Sequence, residues 1–272
     1  MIEKHFIFIA AHHRSGSSLL HGILREHPSV SGISQSGVPE DEGQHVQSVY
    51  KPARFHGGPG KYIFDEKSYM NEHHALANDQ SASAIMEQWA QYFDPTCHYY
   101  IEKSPPNLIR TRFLQRLFPK SKFIVILRHP VAVSYATQKW SRTSIRSLVE
   151  HSLRGYEIFM KDISHLRHVY VLRYEDFVYS PQDEINKIYD FLDLEPILIQ
   201  HEIHSNVNEK YFSMWEASRS RIVARLTFPV SNALEKRMNM FGYSIRDCRK
   251  LLATPLLGAH EAQVAPAAGK GF

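Results

Sequence analysis

Cysteine is scarce in this sequence of 272 residues: only Cys97 and Cys248 occur, and they do not form a CxxC pair. A disulfide framework and a zinc site built from thiolates are therefore not expected, and a reducing compartment is the default. A long apolar run is also missing, and the short apolar segment near residue 6 resembles neither a signal peptide nor a membrane anchor. We therefore expect a cytoplasmic protein without stable membrane insertion.

Excess charge is small, with 32 Lys and Arg residues against 28 Asp and Glu residues and a formal net charge of +4. Such a charge suits an anionic ligand, but it lacks the dense basic stripe of a nucleic-acid binder, and no nucleic acid is expected as a partner. Hydrophobic residues make up 43% of the chain, which is ordinary for a globular protein. We predict a single domain over residues 1–252 and a flexible tail, rich in Ala, Gly and Pro, over 253–272.

Histidine is abundant, with 17 residues, but no HExxH motif and no Cys/His framework accompanies it. The adjacent histidines at 12–13 and 73–74 would point to opposite faces of a strand. No catalytic metal is therefore expected.

Short strand patterns alternate with helical periodicity along the chain, and this periodicity predicts helices that include residues 83–93 and 108–118. Residues 6–11 form an uninterrupted apolar run, 122–127 form the clearest strand, and 98–101 and 169–172 have the same character. The stretch 32–78 is rich in Gly, Pro, Ser and His and predicts a long irregular segment with a functional role. The alternation predicts an α/β fold of three layers, in which helices flank a central parallel sheet.

The first candidate site is the turn formed by Arg14, Ser15, Gly16, Ser17 and Ser18, between the first strand and a helix. A helix N-terminus has free N–H groups and partial positive charge, so it binds phosphate readily. The glycine lets a ligand approach the backbone, while the serines and the arginine add donors. A strand–helix turn with a capping serine explains the same residues equally well.

The lysine of GxxxxGK[ST] is absent, which disfavours a magnesium triphosphate and favours a nucleotide with one bridging phosphate.

Arg14-Ser15-Gly16-Ser17-Ser18 resembles the 5′-phosphosulfate loop, R/K-S-G-T/S-T/S, of sulfotransferases that use 3′-phosphoadenosine 5′-phosphosulfate (PAPS). In motif order the chain is most similar to tyrosylprotein-sulfotransferase-like and bacterial sulfotransferases. The resemblance implies a P-loop-like fold and PAPS as co-substrate, with adenosine 3′,5′-bisphosphate as the product and no metal. It also implies that the loop holds the 5′-phosphate and that Arg14 assists sulfuryl transfer.

Further elements follow in the family's order. Arg128, in Arg-His-Pro at the end of a strand, resembles the arginine that binds the 3′-phosphate. The family's serine eight residues later is Ala136 here. Ser134 and Thr137 are the nearby substitutes, and we assign Ser134 as a ligand. Tyr174, in Arg-Tyr-Glu-Asp, resembles the tyrosine that contacts adenine. Asn208 belongs to a V-N…W spacing that supports the order of the elements.

Two groups are assigned to the transfer itself. Lys103 resembles the lysine of tyrosylprotein sulfotransferases that approaches the donor's bridging oxygen, where a cation stabilises charge on the departing phosphate. The acceptor must lose a proton, and the acidic segment 39–45 offers several bases. Glu42 is the first choice, followed by Glu40 and His45. A solvated lysine and an acidic surface loop are the alternatives that need no function.

The sequence therefore predicts a sulfotransferase that transfers a sulfuryl group from PAPS to an acceptor hydroxyl or amine. Carbohydrates, small molecules, lipids and peptide tyrosines all stay open as the acceptor, and a homodimer stays open as the oligomeric state. One alternative is a small-molecule kinase with a P-loop-like site. The other is a non-catalytic nucleotide-binding module.

Overall fold

Six strands form one sheet in this computed structural model, which describes residues 5–261 of the chain. The strands are β1 (His5–Ala11), β2 (Val30–Gly32), β3 (Tyr99–Lys103), β4 (Lys122–Leu127), β5 (His168–Arg173) and β6 (Gly258–Glu261). Their spatial order is β2-β3-β1-β4-β5-β6, and every neighbouring pair is parallel except β5 with β6. The predicted α/β fold is confirmed, with the correction that the sheet is mixed rather than wholly parallel.

The sheet is buried on both faces, and β1 shows why its sequence is apolar at every position. Phe6 and Phe8 belong to one hydrophobic cluster, whereas Ile7 and Ile9 belong to the other. Successive side chains of a strand point to opposite faces, so both faces of β1 need apolar residues when helices cover both. This arrangement gives the three predicted layers.

Ten helices occur in the part of the chain that the structure describes. They are α1 (Ser17–Leu24), α2 (Asp79–Ala90), α3 (Thr111–Leu117), α4 (Pro130–Ser141), α5 (Ile145–Asp162), α6 (Tyr174–Tyr179), α7 (Pro181–Leu192), α8 (Glu209–Arg219), α9 (Ile222–Thr227) and α10 (Asn232–Met240). Residues of α1, α6 and α7 join the cluster around Ile7, and those of α2 to α5 join the cluster around Phe8. Over residues 5–261, no helix combines the length and the apolar character needed to cross a membrane.

Two helix boundaries differ from the sequence pattern for local reasons. α2 begins at Asp79, earlier than residue 83, because the side chain of Asn78 accepts a hydrogen bond from the Ser81 N–H and caps the helix. The helix predicted over 108–118 is divided into a 3-10 turn, Pro105–Ile109, and α3. Apolar spacing alone does not reveal either feature.

Part of the predicted tail, 253–272, belongs to the sheet. β6 pairs antiparallel with β5, with His168 opposite Glu261 and Val171 opposite Gly258. The segment Gly-Ala-His-Glu lacks the β-branched and aromatic residues that indicate a strand, so its pattern does not predict one. Residues 262–272 of that tail lie outside the described part of the chain.

The irregular segment 33–78 is attached to the core through buried polar groups in place of a ladder of regular hydrogen bonds. Arg110, only 1% exposed, donates from Nε to the Ser68 carbonyl at 3.0 Å and from Nη2 to the Lys51 carbonyl at 3.2 Å. Its guanidinium also lies 5.1 Å from the ring centre of Tyr50. One side chain therefore joins two distant points of the segment to the start of α3.

Replacement of Arg110 should loosen this segment. Arg110→Ala leaves two carbonyl groups without their buried partner and removes a packed side chain, so we expect the free energy of unfolding to fall by about 3 kcal/mol in urea denaturation. Arg116→Ala is the matched control, since Arg116 pairs with the exposed Asp79, and it should cost less than about 1 kcal/mol. Equal losses in the two variants would contradict the anchoring role.

Candidate active site

A cavity of about 460 Å³ lies at the edge of the sheet where the parallel strands end. Because β3, β1, β4 and β5 are parallel neighbours, the segments that follow them meet at this edge, where open α/β sheets bind ligands. The predicted site residues that line the cavity are Arg14, Gly16, Ser17, Ser18, Glu40, Glu42, His45, Lys103, Arg128 and Tyr174. The structure thus brings together residues that lie far apart in the sequence.

The loop after β1 has the shape expected of an anion cradle. Gly16 has φ 91 and immediately precedes α1, so the first N–H groups of the helix face outward without partners in the helix. A Cβ atom at Gly16 would lie 2.6 Å from the ring of Tyr174. A larger residue at position 16 would therefore displace the ring of Tyr174 or change the conformation of the loop. Glycine is required here both for its conformation and for the close approach.

Arg14 is the first residue of the cradle, the loop at 14–18, and is exposed at the cavity. Its backbone is left-handed, with φ 66, which is unfavourable for a residue with a side chain. The guanidinium carbon lies 4.9 Å from the ring centre of Trp140 at the end of α4. This cation–π contact holds Arg14, which forms no ion pair with a carboxylate of residues 5–261. The sequence patterns did not point to Trp140.

Arg128 is 5% exposed and lies beside the loop that follows β1. Its Nη1 donates to the carbonyl of Arg14, which fixes the backbone of the cradle. Nε and Nη2 both donate to Oδ1 of Asn208, at 3.0 and 2.6 Å. The guanidinium carbon is 4.0 Å from the ring centre of Tyr174, a stacking distance. The arginine and the tyrosine assigned from sequence therefore lie against each other and beside the loop.

Glu175 organises the groups behind Arg128. Its Oε1 accepts from the backbone N–H of His129 at 3.0 Å and from Nδ2 of Asn208 at 2.6 Å. Its Oε2 accepts from the Tyr243 hydroxyl at 3.0 Å. Burial raises the pKa of Glu175 above its usual value, although the hydrogen bonds from His129 and Tyr243 and the charge of Arg128 act in the opposite direction. Asn208, known from the sequence only through the spacing V-N…W, is thus a bridge between a carboxylate and the arginine.

Lys103 and Glu42 face each other within the cavity, with Nζ 3.5 Å from Oε1. Lys103 is 2% exposed and also donates to the carbonyl of Glu40 at 2.9 Å. Burial raises the pKa of Glu42 to about 7, even though Lys103 and the hydrogen bond from Gln44 act in the opposite direction. A carboxyl group with this pKa can gain or lose a proton near neutral pH.

The position of Glu42 depends on the fully buried Glu102, which immediately precedes Lys103. Oε1 of Glu102 accepts from the N–H of Gly43 at 2.9 Å, and Oε2 accepts from Nδ2 of Asn107 at 2.7 Å. A Cβ atom at Gly43 would lie 2.6 Å from Cγ of Glu102. The absence of a side chain at residue 43 therefore allows the acidic segment to pack directly on this carboxylate.

The other two candidates for the base occupy different environments. Glu40 is exposed, has φ 56 and accepts from the Ser18 hydroxyl at 3.1 Å. His45 has its Nε2 3.7 Å from Oε2 of Glu42. Burial, with a contribution from the positive charge of Arg54, lowers the pKa of His45. Of the three groups, Glu42 is the one whose side chain faces Lys103, and burial raises its pKa to about 7.

Two residues that the sequence predicts to bind PAPS do not line the cavity. Ser134 is fully buried, and its hydroxyl donates to the Pro130 carbonyl at 2.7 Å, one turn earlier in α4. Ser15, within the loop at 14–18, is also fully buried. The helix geometry directs the Ser134 hydroxyl to its own backbone, a common alternative for serine inside helices.

Sequence reasoning missed Gln44, which belongs to the acidic segment but carries no charge. Its side chain is 1% exposed, donates to Glu42 and accepts from the N–H of Ala53 at 2.8 Å. Only the position of Gln44 two residues after the assigned base could have suggested a role. Within residues 5–261, no cluster of three or more His, Cys, Asp or Glu residues could hold a metal ion.

Comparisons with known proteins agree with this geometry. A family profile described as the Sulfotransferase family matches residues 7–197, well over half of the chain. None of the curated proteins matches the sequence.

Several solved structures share the fold at low sequence identity. The sulfotransferase domain from the curacin biosynthetic pathway is 16% identical over 90% of this chain and 99% of that chain, with a TM-score of 0.52. The sulfotransferase STF1 from Mycobacterium tuberculosis H37Rv is 14% identical over 86% of this chain and 76% of that one, with a TM-score of 0.54. The sulfotransferase domain of the Synechococcus PCC 7002 olefin synthase is 18% identical over 88% and 95%, with a TM-score of 0.50.

These structures support the fold, and the profile supports the family. The motif order from the loop at Arg14 to Tyr174 falls within the matched residues 7–197. The chain therefore belongs to the sulfotransferase family and is a sulfotransferase enzyme, as its motif order predicts.

Proposed function

We propose that the protein transfers a sulfuryl group from PAPS to an acceptor hydroxyl or amine. The observation that carries this proposal is the meeting, in one cavity, of the anion cradle at 14–18, Arg128 and the pair of Lys103 and Glu42. The cradle and Arg128 are suited to anions, and the pair is suited to a transfer with loss of a proton.

The residues present fit the two ends of a PAPS molecule. The cradle has free N–H groups at the start of α1, and Gly16 keeps open the space that a Cβ would fill. The aromatic ring of Tyr174 lies beside the cradle, where it could contact adenine. A guanidinium has five N–H donors, and Arg128 uses three of them, one each on Nε, Nη1 and Nη2. Two donors are left for a 3′-phosphate.

The assignment of Ser134 as a second ligand of the 3′-phosphate has less support. Its hydroxyl proton is directed to the Pro130 carbonyl, and the residue does not line the main cavity. Asn208 contacts the same guanidinium that we assign to the phosphate. We therefore assign the 3′-phosphate to Arg128, with Asn208 as the residue that positions its side chain.

Bound PAPS would supply a sulfuryl group that is already activated for transfer. Glu42 would accept the proton of the acceptor, because its raised pKa makes it a competent base near neutral pH. Lys103 and Arg14 would stabilise negative charge that develops on the departing phosphate. Lys103 has three N–H donors and uses one on the carbonyl of Glu40, so it retains donors for this role.

The two alternatives lack a comparable observation. A P-loop-like kinase needs a lysine within the phosphate loop, and here the nearest lysine of the cavity comes from the end of β3. A non-catalytic nucleotide-binding module would not need Glu42 to be buried against Lys103 at a cost in desolvation. Carbohydrates, small molecules, lipids and peptide tyrosines remain the candidate acceptors.

We further propose that the enzyme works in the cytoplasm. The sequence has only two cysteines, Cys97 and Cys248, both of them buried, and such sparse cysteine usage is typical of proteins from a reducing compartment.

Removal of Arg128 should abolish recognition of the 3′-phosphate. We expect wild-type protein to bind adenosine 3′,5′-bisphosphate about 30-fold more tightly than adenosine 5′-monophosphate, as a charge-assisted pair worth about 2 kcal/mol would give. In Arg128→Ala this preference should nearly vanish in titration calorimetry. Ser134→Ala should keep it. Wild-type protein that binds neither nucleotide, or that does not distinguish them, would refute the donor assignment.

Replacement of Glu42 should remove the base and leave the donor site intact. Glu42→Gln should lower kcat by about 10³, the usual contribution of a general base, with binding of adenosine 3′,5′-bisphosphate unchanged. Glu40→Gln is the matched control from the same segment and should stay near wild type. Transfer of labelled sulfate to an acceptor panel measures both variants, and a larger loss in Glu40→Gln would move the base to residue 40.

The pH dependence of transfer should follow the carboxyl group of Glu42. A general base acts in its deprotonated form, so kcat/KM should rise with pH and level off above the pKa of about 7. The rising limb should be absent in the residual activity of Glu42→Gln. A limb with the same midpoint in that variant would assign the titration to another group.

A further inference from the structure

The short helix α9 presents an apolar surface to solvent. Ile222, Val223 and Leu226 are 67%, 71% and 76% exposed. No residue of α9 is buried, although three of its six residues are large and aliphatic. Contiguous exposed apolar surface on a folded protein commonly marks a site of interaction.

Helix geometry places charge directly beside these aliphatic residues. At about 100° per residue, Ile222, Leu226 and Val223 span an arc of about 100°, and Arg221 and Arg225 form a stripe along one side of it. Both arginines are exposed, whereas Ala224, on the remaining side, is partly buried. We call the surface formed by Arg221, Ile222, Val223, Arg225 and Leu226 the α9 face.

The α9 face carries positive charge and lies in a segment of the sequence without acidic residues. Residues 217–234 include three arginines and no Asp or Glu. Across residues 5–261, no carboxylate forms an ion pair with Arg221 or Arg225. Other exposed arginines do have such partners: Arg249, for example, pairs with Glu209 and Glu216.

Contacts with the rest of the protein fix the position of α9, so its exposed face belongs to an ordered helix. Nη1 of Arg219 donates to the carbonyl of Phe228 at 2.6 Å and to that of Ala224 at 3.4 Å, at the end of the helix. Phe228 is buried, with its ring centre 5.4 Å from that of Trp215. The remaining arginines and the aliphatic residues are thereby free to contact a partner.

We propose that the α9 face binds the enzyme to the surface of a membrane that contains anionic lipids. The arginines match the negative headgroups, and the aliphatic side chains can enter the boundary between headgroups and acyl chains. The face is a convex helix exposed along both its apolar and its basic side, which a fluid surface can accommodate. This attachment is peripheral, and it is independent of the proposed sulfuryl transfer.

Sedimentation with lipid vesicles tests the proposal on the full chain. Wild-type protein should bind vesicles with about one third phosphatidylglycerol in phosphatidylcholine, and should bind pure phosphatidylcholine far more weakly. Arg221→Ala with Arg225→Ala should lower the partition coefficient about 25-fold, since each arginine is worth about fivefold at such a surface. Ile222→Ser with Leu226→Ser should lower it about 100-fold by loss of apolar contact.

Matched controls separate this surface from general stickiness. Leu198→Ser changes an apolar residue that is 73% exposed elsewhere, and Arg116→Ala removes an arginine outside the α9 face; both should bind vesicles as wild type does. Thermal unfolding should be unchanged in both double variants, because the replaced side chains are exposed. Absence of wild-type binding to the anionic vesicles, or equal losses in the controls, would overturn the proposal. The proposal would also be overturned if the wild-type protein were a dimer that binds no vesicles and the double variants were monomers. The α9 face would then bind a second copy of the chain.

Discussion

A carboxylate surrounded by hydrogen-bond donors fixes the geometry of each side of the cavity. Glu102 at the end of β3 is fully buried, and a buried carboxyl group is tolerable only when hydrogen-bond partners satisfy it. The N–H of Gly43 is one of those donors. The acidic segment is therefore tied to the sheet at the residue after Glu42. Without this tie, Glu42 would belong to an exposed loop and would have no reason to face Lys103.

Glu175 plays the corresponding part after β5. It binds the N–H of His129 and the side chain of Asn208, and Asn208 in turn receives two hydrogen bonds from Arg128. Arg128 then holds the carbonyl of Arg14 in the anion cradle. A chain of hydrogen bonds thus runs from one partly buried acid to the loop on a different strand. Because each group in this chain fixes the position of the next, the guanidinium of Arg128 and the backbone of the cradle are positioned before any ligand binds.

The sequence predicts four of the six described strands, β1, β3, β4 and β5, and the site residues that follow them, because local apolar runs and loop motifs are properties of short segments. Arg14, Arg128 and Tyr174 meet for that reason: each follows a parallel strand. The partners Glu102 and Gly43 are 59 positions apart, and no local pattern relates them. Ser134 shows the opposite failure, since its position near Arg128 along the chain did not decide where its hydroxyl points. β6 was missed because its pairing with β5 depends on an available sheet edge rather than on its own residues.

The end of β3 joins support and chemistry within two consecutive residues. Side chains alternate along a strand, so Glu102 and Lys103 point in opposite directions. Glu102 binds the N–H of Gly43, and Lys103 faces the carboxylate of Glu42. One strand end therefore determines both the backbone and the electrostatic environment of the proposed base. Burial raises the pKa of Glu42 more strongly than the charge of Lys103 lowers it. The acidic segment can consequently supply a base near neutral pH because it is packed against the sheet, and that packing requires a glycine at position 43.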